Sequence, residues 1–158
     1  IEQVEHLTDA IVGVELGDDD RFAVAVERSG ARTEWRAGVV PSRHEAPTPP
    51  AQISAVAFLD RGIQTGEVSG HVTGLGSHVA PVTCIAGRGE GDLIATAGVE
   101  GAVKLWTGTA DPLDRFQLRH DSPAAAMAFV TSSSDSSARL VVITREGVIA
   151  RYVIGEPR

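Results

Sequence analysis

Residues 77–107, SHVAPVTCIAGRGEGDLIATAGVEGAVKLWT, carry the pattern that decides the fold. Three apolar stretches of five residues, Val82–Ala86, Leu93–Ala97 and Ala102–Trp106, are separated by glycine-containing turns. Glycine suits such turns because it adopts backbone conformations that other residues avoid. No apolar series in this stretch recurs at helical spacing. The pattern therefore predicts three neighbouring β-strands.

Similar short apolar stretches occur along the rest of the chain. They are bounded by Gly, Asp, Ser and Pro, which is typical of strands joined by turns. The additional predicted strands are Ala10–Leu16, Phe22–Val26, Ile53–Leu59, Ala125–Val130, Leu140–Thr144 and Val148–Ile154. The sequence thus predicts an all-β protein.

A turn and an aromatic residue recur at one spacing, which indicates an internal repeat. In three segments the residue before a turn glycine lies six positions ahead of an aromatic residue. The three pairs are Ser29 and Trp35, Glu100 and Trp106, and Glu146 and Tyr152. His78 and His120, each placed shortly before a predicted strand, lie 42 positions apart. A period in the low forties is typical of a four-stranded propeller blade.

The best-matching segment, Ser77–Thr107, resembles a repeat of the WD-repeat family of β-propellers. The resemblance implies a buried hydrogen-bond network from an indole to a hydroxyl, an imidazole and a carboxylate. Its members here are Trp106, Thr96, His78 and Glu100. Glu100 and Thr107 stand where the family has Asp, and the network would be incomplete if Glu100 were too long. Each buried polar group left unpaired would cost about 1–3 kcal/mol.

The resemblance implies a partial β-propeller of about three to four WD-type blades. Only nineteen residues separate Phe58 from His78, so two middle strands are expected to be absent from residues 51–77. Either this blade is abbreviated or residues are missing between Phe58 and Gln64. The blades are expected at residues 5–40, 51–77, 78–119 and 120–155, with a Pro-containing connection at 37–50. Closed propellers use about four to eight blades. The rest of the ring is therefore expected from further chain or from another subunit.

Degenerate positions mark two of these blades. Ala25 and Val142 stand where the resemblance places the hydroxyl of the network. The networks of the first and last blades are therefore expected to be incomplete.

Charge excludes two classes of partner. The net charge is −7, and the fourteen basic residues comprise Lys104 and thirteen scattered arginines, so nucleic acid and anionic membrane surfaces are not expected partners. No apolar run reaches the length of about 18 residues that is needed to span a bilayer.

Cys84 is the single cysteine, which favours a reducing, cytoplasmic location.

Candidate chemical sites have simpler structural interpretations. The glycine-rich run 87–91 is not followed by the helix that a phosphate-binding loop requires, so it is interpreted as a turn. Asp18–Asp20 with Glu15 lacks calcium-loop spacing and is interpreted as a solvated turn. The histidines have no metal-ligand spacing, and Cys84 lies in an apolar strand, where an inert thiol is expected. With no serine nucleophile motif either, the chain is predicted to be non-catalytic and to bind no cofactor or metal.

The predicted function is a protein-interaction scaffold, a WD-repeat subunit of a multiprotein assembly. The resemblance implies partner contacts just before the inner strand of a blade and in the turn before the acidic-Gly pair. These positions are Ala80, Ser122, Val99 and Arg145. Arg145 is the strongest candidate for a protein or peptide partner, because a guanidinium can bind a carboxylate through two hydrogen bonds. The alternatives are a regulatory or targeting segment of a larger enzyme and an architectural role in a large assembly.

Overall fold

A computed structural model of the 158-residue chain describes residues 7–17, 21–59, 62–88, 93–107, 113–131 and 138–154. These ranges contain fifteen β-strands and no helix, so the all-β prediction is confirmed. None of them forms an apolar helix of bilayer-spanning length. The predicted turn at Asp18–Asp20 and most of the glycine-rich run 87–91 lie outside the described residues.

The strands form four antiparallel sheets that follow one another along the chain. Sheet I contains β1 (Ile11–Leu16), β2 (Phe22–Glu27), β3 (Arg32–Arg36) and β4 (Val39–His44). Sheet II contains β5 (Ile53–Leu59), β6 (Gly62–Glu67), β7 (His71–Val72) and β8 (Gly76–Ser77). Sheet III contains β9 (Val82–Arg88), β10 (Leu93–Gly98), β11 (Ala102–Thr107) and β12 (Leu113–Arg119). Sheet IV contains β13 (Ala124–Thr131), β14 (Ala138–Thr144) and β15 (Ile149–Ile154).

One turn joins the second strand to the third in every sheet. Its glycine has a positive φ, and its N–H donates to a carbonyl three residues earlier at 3.0–3.1 Å. The four glycines are Gly30, Gly70, Gly101 and Gly147, with φ of 91°, 90°, 80° and 84°. An L side chain would be strained in this conformation, so glycine is the residue that the turn requires. The repeated spacing found in the sequence is therefore a repeated backbone structure.

The first strand of every sheet also carries the same β-bulge. Pairing with the second strand skips one residue near the start of the strand, and that residue has no partner. The skipped residues are Val12, Ser54, Thr83 and Ala125. Because the bulge falls at the same place in each register, residues of the four sheets can be matched one to one.

The sheets pack face to face through their first strands. β1 lies beside β5, β5 beside β9, and β9 beside β13. A Cβ atom at Gly13 would lie 2.1 Å from Val56, and one at Gly87 would lie 2.0 Å from Leu59. Glycine at these two positions is therefore what allows the sheets to approach each other closely.

Two expectations about strand content are corrected. Residues 51–77 do not lack their middle strands: β6 has six residues, and the shortening falls on β7 and β8, with two residues each. The predicted connection at 37–50 contains a strand, β4, at the edge of sheet I. Proline is tolerated at a sheet edge because it need not donate to a neighbouring strand, which explains how Pro41 lies within β4.

Candidate functional site

A buried hydrogen-bond chain crosses sheet III. The indole Nε1 of Trp106 donates to Thr96 Oγ1 at 2.8 Å, and Thr96 Oγ1 lies 2.8 Å from His78 Nε2. The Nδ1 atom of the same imidazole lies 2.8 Å from Glu100 Oε1. Since an indole N–H can only donate, the Thr96 hydroxyl is free to donate to Nε2, which leaves Nδ1–H to donate to the carboxylate. All four side chains implied by the resemblance thus meet in one chain.

The backbone of sheet III places these groups. Thr96 on β10 pairs with Lys104 on β11, and Ile94 pairs with Trp106. Side chains two residues apart on a strand face the same side, so the Thr96 hydroxyl and the Trp106 indole share one face of the sheet. His78 follows β8 and reaches this face from the connection into β9. His78, Thr96 and Trp106 are buried, at 4%, 0% and 4% exposure, so these groups lie away from bulk solvent. The network therefore ties the segment before β9 to two strands of the sheet.

Gly98 makes room for the longer acidic residue. A Cβ atom at Gly98 would lie 1.9 Å from Oε2 of Glu100, so any other residue there would displace the carboxylate. Glu100 therefore reaches the imidazole despite its extra methylene group. Its Oε2 atom accepts no hydrogen bond from any described residue, so only one carboxylate oxygen joins the network.

Sheet IV carries a reduced version of this network. Tyr152 Oη lies 3.1 Å from His120 Nε2, and the two rings meet edge to face with centroids 5.8 Å apart. Val142, which is fully buried, occupies the position of Thr96. The tyrosine hydroxyl therefore reaches the imidazole directly, without an intervening threonine.

Sheet I is braced by an ion pair that sequence reasoning missed. Glu27 is fully buried at the end of β2, and its carboxylate accepts hydrogen bonds from Arg43 on β4 and from Thr8 at 2.9 Å. Arg43 also donates to Thr33 on β3 at 3.3 Å. The Arg43 hydrogen bond lowers the pKa of Glu27, and the Glu27 carboxylate raises the pKa of Arg43. Residues 27 and 43 carry no sequence signal of this contact, because only strand pairing brings them together.

The four predicted partner-contact residues lie at one end of the sheets, in two pairs. Val99 N–H donates to the Pro81 carbonyl at 2.9 Å, which places Val99 beside the segment that contains Ala80. Arg145 N–H makes the same 2.9 Å bond to the Pro123 carbonyl, next to Ser122 in the chain. Val99 and Arg145 are exposed, Ala80 is half-buried, and Ser122 is buried with 5% exposure. Ser122 is therefore poorly placed to contact a partner.

Two further residues occupy the same turn position. Arg28 N–H donates to the Ala10 carbonyl and Val68 N–H to the Gln52 carbonyl, both at 2.8 Å, and both side chains are exposed. We call Arg28, Val68, Val99 and Arg145 the rim. Each rim residue lies two positions before a turn glycine, and this offset is the sequence signal that could have found the first two.

Cys84 lies on the face of sheet III that packs against sheet IV. Its Sγ atom is 3.5 Å from the Ala124 carbonyl. Burial raises the pKa of the thiol, although the positive charge of Arg145 acts in the opposite direction. A protonated thiol is a poor nucleophile. Among the described residues, no group of three or more His, Cys, Asp or Glu side chains is placed to hold a metal ion.

The chain is similar in structure to three solved proteins. It matches the computationally designed Ika4 protein with a TM-score of 0.72 and 20% sequence identity, over 97% of this chain and 96% of that chain. It matches the computationally designed Ika8 protein with a TM-score of 0.65 and 18% identity, over 92% and 46%. It also matches U3-55K, a WD40 propeller protein, with a TM-score of 0.71 and 13% identity, over 95% and 53%.

The chain thus spans about half the length of Ika8 and of U3-55K. No protein-family model and no curated protein matches its sequence. At such low identity the structural similarities concern the fold alone. The four small antiparallel sheets are compatible with a propeller.

Proposed function

We propose that this chain is a WD-repeat type segment of a β-propeller, with four blades that correspond to sheets I–IV, and that it acts as a non-catalytic protein-interaction scaffold. The observation that carries the proposal is the rim, four exposed side chains held at one end of the sheets by one repeated backbone hydrogen bond. A rigid backbone lowers the entropic cost of binding, since the contacting residues are already in place.

The chemistry of the rim favours a protein or peptide that offers a carboxylate beside apolar side chains. Arg28 and Arg145 supply guanidinium groups, and Val68 and Val99 supply exposed apolar surface. A guanidinium can hold a carboxylate through two parallel hydrogen bonds, which gives direction as well as energy. Both rim arginines thus offer positive charge in a chain whose net charge is −7.

The experiment is affinity capture from an extract of the source cells with wild-type chain and two charge-reversal variants. Arg145→Glu alters the rim, and Arg119→Glu makes the same charge change at an exposed position at the end of β12. We expect partners captured by the wild type to be retained by Arg119→Glu and bound at least about tenfold more weakly by Arg145→Glu, a loss of ~1.4 kcal/mol or more. Melting temperatures of both variants should match the wild type. Equal capture by Arg145→Glu would remove Arg145 from the binding site.

A further inference from the structure

Two sheet faces at the ends of the series have no partner sheet among the described residues. One is the face of sheet I that points away from sheet II, and the other is the face of sheet IV that points away from sheet III. Both expose aliphatic side chains. They are Ile11 (42% exposed), Val14 (58%) and Leu16 (69%) on sheet I, and Val130 (47%), Ile143 (38%), Ile149 (70%) and Val153 (66%) on sheet IV. We call these surfaces the leading face and the trailing face, respectively.

The contact between sheets II and III shows what such faces normally bury. Ala55 on β5 and Val72 on β7 pack with Val82 and Ile85 on β9 in one hydrophobic cluster. On sheet II, Ala55 is the residue after the bulge of β5, and Val72 lies beside it on the far side of β6. On sheet III, Val82 precedes the bulge of β9 and Ile85 lies two residues after it. The contact thus uses two positions on each sheet.

The same four positions are buried together again between sheets III and IV. There they are occupied by Cys84 and Val103 on sheet III and by Ala124 and Met127 on sheet IV, all within one cluster. The residue types differ, but apolar character is retained at every position. The register therefore predicts which residues a further sheet-to-sheet contact would bring together.

At the two ends of the chain these positions are apolar and exposed. On the trailing face, these positions are Ala126, after the bulge of β13, and Ile149, which lies beside it on the far side of β14. On the leading face, they are Ile11, before the bulge of β1, and Val14, two residues after it. Val56 of sheet II packs against Gly13 of sheet I. Counted from the bulge of each first strand, Val14 on the leading face matches Val56, and Ala126 on the trailing face matches Gly13. One chain therefore carries both halves of the contact that joins its own sheets.

We propose that a second copy of this chain covers both faces, with the trailing face of each copy packed on the leading face of the other. Two such contacts related by a two-fold axis close a ring of eight sheets, within the four to eight blades of propellers. The chain spans 96% of Ika4 and 46% of Ika8, so one copy corresponds to a whole chain of the first and to half of the second. The proposal rests on the proposed propeller arrangement but not on the rim.

The test is sedimentation equilibrium of the 158-residue chain across a dilution series. We expect the wild type to have the mass of two chains. Ile149→Glu on the trailing face and Val14→Glu on the leading face should each yield single chains, because a carboxylate buried in an apolar contact is strongly unfavourable. Val79→Glu is the matched control: Val79 is 91% exposed and lies outside both faces, so this variant should remain a pair.

Mixing the two disrupted variants separates this arrangement from other dimers. An equimolar mixture of Ile149→Glu and Val14→Glu retains one unaltered contact between trailing and leading faces, so a two-chain species should reappear, which also shows that both variants are folded. A single-chain wild type would overturn the proposal and would indicate that further sheets come from elsewhere. A dimer disrupted by only one of the two substitutions would overturn it too. Partner capture by the rim is measured in a separate experiment. A failure of the dimer proposal can therefore be distinguished from a failure of the proposed binding function.

Discussion

Sheets I and III share a strand register and a bulge but are braced by different polar chemistry. In sheet III a histidine lies between a hydroxyl and a carboxylate, and Trp106 supplies the terminal donor. In sheet I the buried Glu27 carboxylate accepts hydrogen bonds from Arg43 and from the Thr8 hydroxyl, and Arg43 also donates to the Thr33 hydroxyl. The repeated backbone therefore does not require one particular network. In both sheets most of the buried polar groups of the network find partners, because unpaired groups are costly.

The largest effect is expected when the ion pair of sheet I is broken. Arg43→Ala leaves the Glu27 carboxylate buried without its cation, and removal of one partner of a buried pair costs about 3–5 kcal/mol. The Arg43 side chain is 29% exposed, so water can partly replace it, and we expect about 3 kcal/mol. The free energy of unfolding, measured by urea denaturation, checks this value.

The control replaces both partners at once, as Glu27→Gln with Arg43→Met. This double variant leaves no uncompensated charge and should be more stable than Arg43→Ala. Acidification gives a second check. Because the pKa of Glu27 in the folded protein lies below its ordinary value of 4.5, its stabilising contribution is present above pH 4.5 and is lost as the pH falls through the folded value. The double variant should lack this component, and an Arg43→Ala variant as stable as the wild type would contradict the role of the pair.

An intermediate effect is expected in sheet III. His78→Ala leaves the Thr96 hydroxyl and the Glu100 carboxylate without their shared partner, which should destabilise the chain by about 1–3 kcal/mol. His71→Ala, at an exposed histidine in β7, is the matched control and should change stability by less than about 0.5 kcal/mol. Thermal denaturation compares the two. An unchanged melting temperature for His78→Ala would exclude a stabilising role for the network.

The smallest effect is expected in sheet IV. Tyr152→Phe removes one hydrogen bond to His120 from a half-buried pair and keeps the ring contact, so the loss should be about 0.5–1 kcal/mol. Urea denaturation can resolve this difference in a series measured together. If the loss were as large as that of His78→Ala, a single bond would stabilise sheet IV as much as the full network stabilises sheet III.

Parts of the fold that carry a local sequence pattern were predicted, and parts that lack one were missed. The turns at Gly30, Gly101 and Gly147 were found because an aromatic residue follows each at a constant distance. The equivalent turn at Gly70 was missed because Leu75 stands in place of the aromatic residue. β4 was missed since its sequence, VVPSRH, has neither apolar alternation nor strong strand residues after Val40. Its strand structure comes from pairing with β3, which is a property of the assembled sheet.

The sequence by itself determined the all-β class and the repeated turns, which depend on backbone preferences and on residue spacing over a few positions of the chain. The members of the network around Trp106 were implied by the resemblance of residues 77–107 to a WD repeat. Only the tertiary structure decided that Glu27 meets Arg43, that Gly98 makes room for Glu100, and that the apolar residues of sheets I and IV lie on two open faces. Each of these depends on the pairing register of strands distant in sequence, and a single-residue change in register would move every side chain to the opposite face.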